Sequence, residues 1–276
     1  MLVRPGSRRN DELDSRARRI EGNFREPAVL ARGLTGTVAV VNCAGSVRGT
    51  TAAAFDAANV SGVRQLCQAL SRLSQPPALL HLSSLAATEP HLSAYAASKA
   101  AGERVLEEFS ELDWSIFRPP AVYGPGDVEL KSTLAWARRG LVPVVGGNRE
   151  QRLAFLHVDD LVSAIMAWLA NPAAHRHRSY ALDDGEPGGY DWDAIAAAVS
   201  ARKPIFVPVP VAILRSLAWI NERFAVFSGR SVMLSRGKVN ELAHPRWVCD
   251  NAPFVAACGW GPQIQLARGV AGLFES

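Results

Sequence analysis

The sequence predicts an α/β fold built around a doubly wound parallel sheet. Through the first two-thirds of the chain, short apolar runs with strand character alternate with longer helical patterns, an alternation that indicates βαβ units. The expected strands lie at residues 37–41, 78–82 and 114–117. The expected helices lie near residues 52–73 and 94–109, between successive strands.

Length and composition bound the class of protein. With 276 residues, 48% of them apolar, the chain can bury the core of one large α/β domain, or of a domain plus a small lobe. The net charge of +4 comes from 30 basic and 26 acidic residues spread along the chain, which argues against a nucleic-acid binder. The longest apolar stretch, residues 205–220, is interrupted by prolines and is too short to span a bilayer, so we interpret it as buried structure.

The cysteines and histidines give no sign of a metal centre. Four cysteines show no paired C-x-x-C spacing, and the six histidines include one close pair, His175 and His177. Neither a zinc site nor a disulfide framework is indicated, and no apolar signal core follows the arginine-rich start of the chain. We therefore expect a cytoplasmic protein.

Beyond residue 118 the pattern loosens into turns rich in glycine and proline. The third strand ends where proline cannot continue a central ladder. An amphipathic helix is expected at about residues 159–170, with Asp159 as its N-cap. A further strand is expected at residues 179–182, followed by a helix from about Trp192.

The chemistry concentrates after the second expected strand. Ser83 and Ser84 end that strand, and the next helix carries Tyr95 and Lys99. Tyrosine and lysine four residues apart lie on one helical face, where the ammonium favours the phenolate and so lowers the pKa of the tyrosine. The phenol can then exchange a proton with a substrate hydroxyl or carbonyl. A serine hydroxyl could hold the same oxygen, and this set suits hydride transfer to or from a nicotinamide.

A tyrosine four positions before a lysine is a weak signal by itself, because many solvated helix faces carry such a pair. The order of strand, serine pair, loop and tyrosine helix gives the pair its meaning. In this order the chain resembles the NAD(P)-dependent epimerase/dehydratase family of extended short-chain dehydrogenases/reductases. The matching segments are VNCAG (41–45), NVSG (59–62), LSS (82–84), SAYAASKAAGE (93–103), RPPAVYGPGD (118–127) and FLHVDD (155–160).

The resemblance implies a Rossmann-like sheet and roles for particular residues. Ser84 would be the catalytic serine, with Ser83 as the alternative hydroxyl. Tyr95 would be the acid/base, and Lys99 would steer the tyrosine and the nicotinamide ribose. The implied reaction is NAD(P)-dependent oxidoreduction, epimerisation or dehydration at a hydroxyl or carbonyl of a small molecule, either a nucleotide sugar or a sterol-like alcohol.

Other cofactor and substrate positions follow from the same resemblance. Ala44 and Gly45 would allow close approach of the adenosine half, and Pro119 and Ala121 would lie beside the nicotinamide; the alternatives are an ordinary strand-end turn and a simple strand stop. Four further positions also belong to family motifs, and each of them has a structural interpretation as well. Asn59 would act through a helix distortion or a local hydrogen bond, Tyr123 and Arg152 would border the substrate pocket, and His157 is expected to be a satisfied polar residue rather than a catalyst.

The family pattern breaks at the start of the chain. Members open with a strand, a glycine-rich phosphate loop and a helix, and this sequence lacks that first strand-helix unit. Because the first strand is central in the order 3-2-1-4-5-6, its loss should leave two sheet edges unpaired. A start site assigned too late, a decayed gene product and a rearranged fold are the three explanations, and we favour a mis-assigned start or a truncated chain.

Arg4, followed by Arg8 and Arg9, lies where an acidic residue usually grips the ribose of NAD. We therefore expect a preference for NADP, with NAD possible; the alternative is a solvated basic loop. Residues 1–120, with a returning strand near 178–183, are expected to form the incomplete dinucleotide-binding domain. Residues 121–276 are expected to form mainly a small substrate lobe.

The remaining expectations concern the binding partners of the protein and the alternatives to an enzymatic function. We expect a small-molecule substrate, no nucleic acid, no membrane span, and a homodimer through the helix of Tyr95. A catalytically silent binding or scaffold protein is the alternative function. A third possibility is an assembly partner that completes the sheet in trans.

Overall fold

The structure is a computed structural model that describes residues 1–3, 5–6, 14–49, 51–127, 129–200, 202–228 and 234–275. Its strands are β1 (Leu2–Val3), β2 (Ile20–Glu21), β3 (Ala39–Asn42), β4 (Ala78–Leu82), β5 (Trp114–Arg118), β6 (Ala121–Tyr123), β7 (Leu141–Val145), β8 (Arg152–Leu153), β9 (Phe155–His157), β10 (Arg178–Ala181), β11 (Ile205–Val209) and β12 (Arg246–Trp247). Its α-helices are α1 (Pro27–Leu34), α2 (Ala52–Asp56), α3 (Gly62–Leu70), α4 (Ala94–Glu107), α5 (Glu129–Arg138), α6 (Val158–Ala170), α7 (Trp192–Val199), α8 (Val211–Ser228), α9 (Arg236–Ala243), α10 (Ala252–Cys258) and α11 (Leu266–Glu275).

The centre of the molecule is a four-stranded parallel sheet in the order β10-β5-β4-β3. This arrangement confirms the predicted α/β fold with a parallel sheet. The predicted strands at 78–82 and 114–117 correspond to β4 and β5, and β10 returns to pair with β5 as expected. Among the described residues, no helix is both long enough and apolar enough to cross a membrane.

Helices cover both faces of this sheet. Successive strand residues point to opposite sides, so each strand contributes side chains to both helical layers. On one face Leu79 and Ile116 pack with residues of α1, α3 and α4. On the other face Leu80 and Phe117 pack with residues of α6 and α10. All four side chains are almost completely buried, as expected for a sheet that is doubly wound.

The N-terminal pair of strands is separate from the central sheet. β1 pairs with β2 in parallel, and β3 pairs with β4. Within the described part of the chain no strand joins β1 or β2 to β3. One edge of β3 therefore has no ladder partner there, in agreement with the interruption that the sequence predicts.

The C-terminal region is built from strand pairs and helices rather than one large sheet. The pairs are β6 with β9, β7 with β11 and β8 with β12, all parallel. Helices α5, α7 and α11 pack together around buried residues that include Leu134, Ile195 and Leu273. This region adjoins the end of β5, and so continues directly from the edge of the central sheet.

Two sequence-based expectations are wrong. Residues 205–220 were expected to be buried, but Ile205, Ile213 and Leu217 are between 47% and 63% exposed. The reason is that Pro210 separates β11 from α8, and α8 packs mainly against α9 through its opposite side. An apolar run in the sequence shows that the side chains are apolar, but it does not show which other segments will pack against them.

The N-cap of α6 is His157 rather than Asp159. The His157 backbone is extended, and its Nδ1 accepts a hydrogen bond from the Asp159 N–H at 3.2 Å. Asp159 already lies in the first helical turn, where a carboxylate interacts favourably with the helix dipole. His157 is therefore a satisfied polar residue that helps to start the helix.

Helix α4 lies very close to a π-helical turn at Ala57–Ser61, which connects α2 to α3. A Cβ added to Gly102 of α4 would lie only 2.2 Å from the backbone oxygen of Asn59. Glycine is therefore required at position 102 by the space between two backbones.

Replacing Gly102 by alanine is expected to lower the free energy of unfolding by about 1–3 kcal/mol, the usual cost of overpacking. Urea denaturation followed by circular dichroism measures this change. Gly272→Ala in α11 is the matched control, because its added Cβ meets nothing within 4 Å. That control should be neutral or stabilise by up to about 1 kcal/mol through helix propensity. Equal destabilisation by both substitutions would contradict the close contact at Gly102.

Candidate active site

Three loops meet at the carboxyl edge of the central sheet, as they do wherever parallel strands lie side by side. Gly45 follows β3, Ser83 and Ser84 follow β4, and Pro119 follows β5. The loops after β4 and β5 are joined by a hydrogen bond from the Leu85 N–H to the Pro119 carbonyl oxygen at 2.8 Å. The sequence-predicted positions on these loops are therefore brought to one edge.

The hydroxyl of Ser84 lies near the phenol of Tyr95, close enough to act on its pKa. Ser84 also starts a short 3-10 turn, in which its Oγ accepts from the Ala86 N–H at 3.2 Å. Tyr95 lies in the first turn of α4, and its ring meets the Phe55 ring edge to face at 6.1 Å. The predicted serine and tyrosine are thus in contact.

Burial raises the pKa of Tyr95, the Ser84 hydroxyl opposes this rise, and the nearby Glu241 carboxylate adds to it. The expectation that Lys99 lowers this pKa is wrong for the described arrangement. The Lys99 ammonium is directed to the Leu82 carbonyl oxygen at 2.7 Å. The phenol is therefore protonated at neutral pH, and it holds its proton more tightly than a free tyrosine does.

Lys99 itself is only 5% exposed. Burial lowers its pKa to about 8, while Glu103 and Cys43 act in the opposite direction. Its titration therefore falls close to physiological pH, which is uncommon for a lysine and typical of functional sites.

Asn59 connects the loop after β3 to helix α4. Its Nδ2 donates to Ser98 Oγ at 2.9 Å and to the Ser46 carbonyl oxygen at 3.0 Å, and its Oδ1 accepts from the Ser46 N–H at 2.8 Å. Both expected roles are present, because Asn59 lies in the π-helical turn and hydrogen-bonds through its side chain. A Cβ at Gly45 would lie 3.0 Å from Asn59 Oδ1, so the backbone at Gly45 approaches the Asn59 side chain closely.

Two acidic residues anchor α4, and sequence reasoning assigned no role to either. Glu103 receives the Arg118 guanidinium, with Nη2 to Oε2 at 2.6 Å and Nε to Oε1 at 3.0 Å, and this pair joins α4 to the end of β5. Glu241 of α9 accepts a hydrogen bond from Ser93, the N-cap of α4. Glu103 lay inside a recognised motif, whereas nothing local to Glu241 signals a partner 148 residues away.

Tyr123 and Arg152 are grouped with the C-terminal region. Tyr123 is 1% exposed, and its ring contacts Phe155 and His157. Arg152 is paired with Asp191 at 3.4 Å. The ring contacts of Tyr123 and the ion pair of Arg152 are with these neighbours rather than with Tyr95, and the Tyr123 hydroxyl is buried without a hydrogen-bond partner among the described residues. Arg4 lies outside the described residues.

The residues at this edge fit the nicotinamide half of a dinucleotide. Ser83 Oγ is buried without a hydrogen-bond partner among the described residues, and a Cβ at Gly45 would also lie 3.7 Å from Lys99 Nζ. Ala44, just beyond β3, and Ala121, which begins β6, are exposed. A bound ribose and the nicotinamide amide need hydrogen-bond donors, and small residues nearby leave room for them.

Comparisons with known proteins agree with this geometry. A ceramide reductase from Caulobacter vibrioides is 31% identical over 238 residues, which cover 85% of this chain and 73% of that protein. The solved structure of gox2253 has a TM-score of 0.71 at 20% identity, covering 98% of this chain and 88% of that chain. A dTDP-glucose 4,6-dehydratase from Streptomyces venezuelae, solved with NAD, has a TM-score of 0.66 at 21% identity, covering 94% and 78%. Both structural likenesses show the fold alone.

The profile of the NAD dependent epimerase/dehydratase family matches residues 2–182, which include β1 to β5 and β10. The match spans the edge where Ser84, Tyr95 and Lys99 lie. The chain therefore belongs to the NAD dependent epimerase/dehydratase family.

Proposed function

We propose that this chain is an NAD(P)-dependent reductase that converts a carbonyl of a ceramide-like lipid to an alcohol, with Tyr95 as the proton donor. The observation that carries this proposal is the placement of Ser84, at the start of the turn after β4, beside Tyr95 in the first turn of α4, with the Lys99 ammonium bonded to the last residue of β4. The 31% identity to a ceramide reductase supports the substrate class. Specificity itself resides in the site and not in the fold.

Proton donation is the step that the chain's own residues perform. As the substrate carbonyl oxygen gains negative charge, the Tyr95 hydroxyl donates its proton to it. The Ser84 hydroxyl, already in contact with Tyr95, donates a second hydrogen bond to the same oxygen and stabilises the developing charge. The Ser84 turn and the capped α4 helix hold the two hydroxyls together before substrate arrives.

Lys99 and the surrounding loops would hold the cofactor. Ala44 and Gly45 would accept its adenosine side, while Lys99, Pro119 and Ala121 would border the nicotinamide and its ribose. When bound, this group supplies the hydride for reduction. We propose NADP over NAD on the basis of Arg4 and the two arginines that follow it; stronger binding of NADP than NAD by calorimetry is the expected result.

We further propose that residues 1–120 with β10 bind the dinucleotide, and that residues 121–276 supply most substrate contacts. A homodimer through α4 stays a prediction. The second candidate function is epimerisation or dehydration of a nucleotide sugar, favoured by the fold shared with a dTDP-glucose 4,6-dehydratase. Consumption of reduced cofactor in proportion to product distinguishes the two, because a reductase consumes it and an epimerase regenerates it.

Replacing Tyr95 by phenylalanine is expected to lower kcat by about 10²–10⁴, the usual contribution of a general acid. The loss of absorbance of the reduced nicotinamide measures turnover of a ceramide-like ketone. Tyr180→Phe is the matched control, since this hydroxyl bonds to the core residue His175 and should leave kcat unchanged. Wild-type kcat in the Tyr95 variant, or no turnover by the unaltered chain with either cofactor, would exclude the proposal.

The rate of reduction should also decline at alkaline pH. If the Lys99 ammonium is the active form, kcat/KM falls as pH rises through its pKa of about 8, because the lysine then loses its proton. Tyr95 does not cause this decline, since its own pKa is raised. A pH profile of Lys99→Met should be low and flat in this range, while the exposed control Lys203→Met keeps the decline. An unchanged alkaline limb in Lys99→Met would remove Lys99 from this role.

A further inference from the structure

Helix α8 carries an apolar stripe, which we define as Ile213, Leu217, Ile220 and Phe224. Their spacings of four, three and four residues place them on one face of the helix. Their exposed fractions are 55%, 47%, 41% and 69% respectively. Single exposed apolar residues are ordinary on a protein surface, whereas a continuous stripe marks an interaction site.

The body of the protein contacts the other side of α8. Ala218 is completely buried, and α8 packs principally against α9. Arg215 donates from Nη2 to Asn240 Oδ1 of α9 at 3.2 Å, and Arg236 of α9 is paired with Glu222 at 2.8 Å. The apolar stripe therefore faces away from the contacts that hold the helix in place.

Basic residues outnumber acidic ones in α8 and in the segment just before it, and Arg223 lies beside the stripe. Residues 202–224 contain four basic residues, Arg202, Lys203, Arg215 and Arg223, and one acidic residue, Glu222, which gives a net charge of +3. The single carboxylate is already paired with Arg236. Arg223 and Trp219 are both exposed and lie against each other, with the guanidinium 5.3 Å from the ring centroid.

We propose that α8 lies in the interface of an anionic phospholipid bilayer, with the apolar stripe among the acyl chains and Arg223 at the phosphates. Apolar residues on one face and basic residues beside them are the features of helices that bind in this way. Trp219 suits the headgroup level, because its ring is apolar and its N–H is polar. This attachment is peripheral and requires no spanning helix.

A second copy of the chain fits the stripe less well than a lipid surface does. A symmetric contact would bring the same patch of both copies together, and so would place Arg223 near its own duplicate. No unpaired acidic residue on the described part of α8 could balance these charges, since Glu222 is taken by Arg236. Anionic headgroups supply the missing charge.

This inference goes beyond the proposed function and does not depend on catalysis. Binding at a membrane surface would bring the protein to lipids, but vesicle binding is measured without cofactor or substrate. Loss of vesicle binding with retained reduction of a water-soluble ketone would overturn only the membrane inference. Retained vesicle binding with no reduction would overturn only the reductase.

Co-sedimentation with vesicles tests the proposal. The wild-type chain should bind vesicles of phosphatidylcholine and phosphatidylglycerol, bind phosphatidylcholine alone weakly, and dissociate as salt is raised. The double substitution Ile220→Gln/Phe224→Gln should weaken binding by about tenfold or more, because two large apolar side chains are lost from the interface. Val162→Gln/Met166→Gln is the matched control, with the same spacing on α6 and exposed fractions of 51% and 61%.

A second variant separates charge from folding. Arg223→Gln keeps the apolar stripe and should weaken the preference for phosphatidylglycerol, and unchanged thermal unfolding shows that each variant is folded. The proposal is overturned by wild-type chain that ignores anionic vesicles, or by equal loss in the α6 control. It is also overturned if light scattering shows a dimer that the Ile220/Phe224 substitutions dissociate.

Discussion

Helix α4 approaches the π-helical turn at Ala57–Ser61 so closely that position 102 has no room for a side chain. The contact fixes the helix that carries Tyr95 and Lys99 against the segment that carries Asn59. Because Asn59 also holds the Ser46 backbone, the loop after β3 and the helix are positioned by the same residue. The geometry of the site depends on this backbone-to-backbone contact more than on any single side chain of the catalytic set.

Further contacts, at the start of α4 and along its length, fix its position. The Glu103–Arg118 pair joins its middle to β5, where removal of one partner would leave a charge in a largely buried position. Ser93 at its start bonds to Glu241 of α9, and Asn240 donates to the Leu92 carbonyl oxygen at 3.1 Å. The C-terminal region thus reaches the beginning of α4, and contributes a carboxylate that adds to the rise in the pKa of Tyr95.

The sequence predicted what depends on local pattern. β4 was placed correctly, and the contact between Ser84 and Tyr95 follows from a strand end and a helix start that each have a local signal. The pKa of Tyr95 was predicted with the wrong direction, because sequence spacing does not show that burial of the phenol raises its pKa. Nor does spacing show that the Lys99 ammonium bonds to a backbone oxygen. The role of Glu241 and the exposure of the α8 stripe depend on which distant segments pack together, and no local pattern records that.

The strand that leads into Gly45 differs from its neighbours in how firmly it is held. β4 has ladder partners on both sides, whereas β3 has one, β4, among the described residues. Amide hydrogens in β3 should therefore exchange with solvent through small local openings, at a lower free energy than those of β4. A ligand that rests on Ala44 and Gly45 would bind only the closed form of this strand, and so would slow that exchange. Occupancy of the cofactor site and the local stability of the sheet edge are in this sense one linked equilibrium.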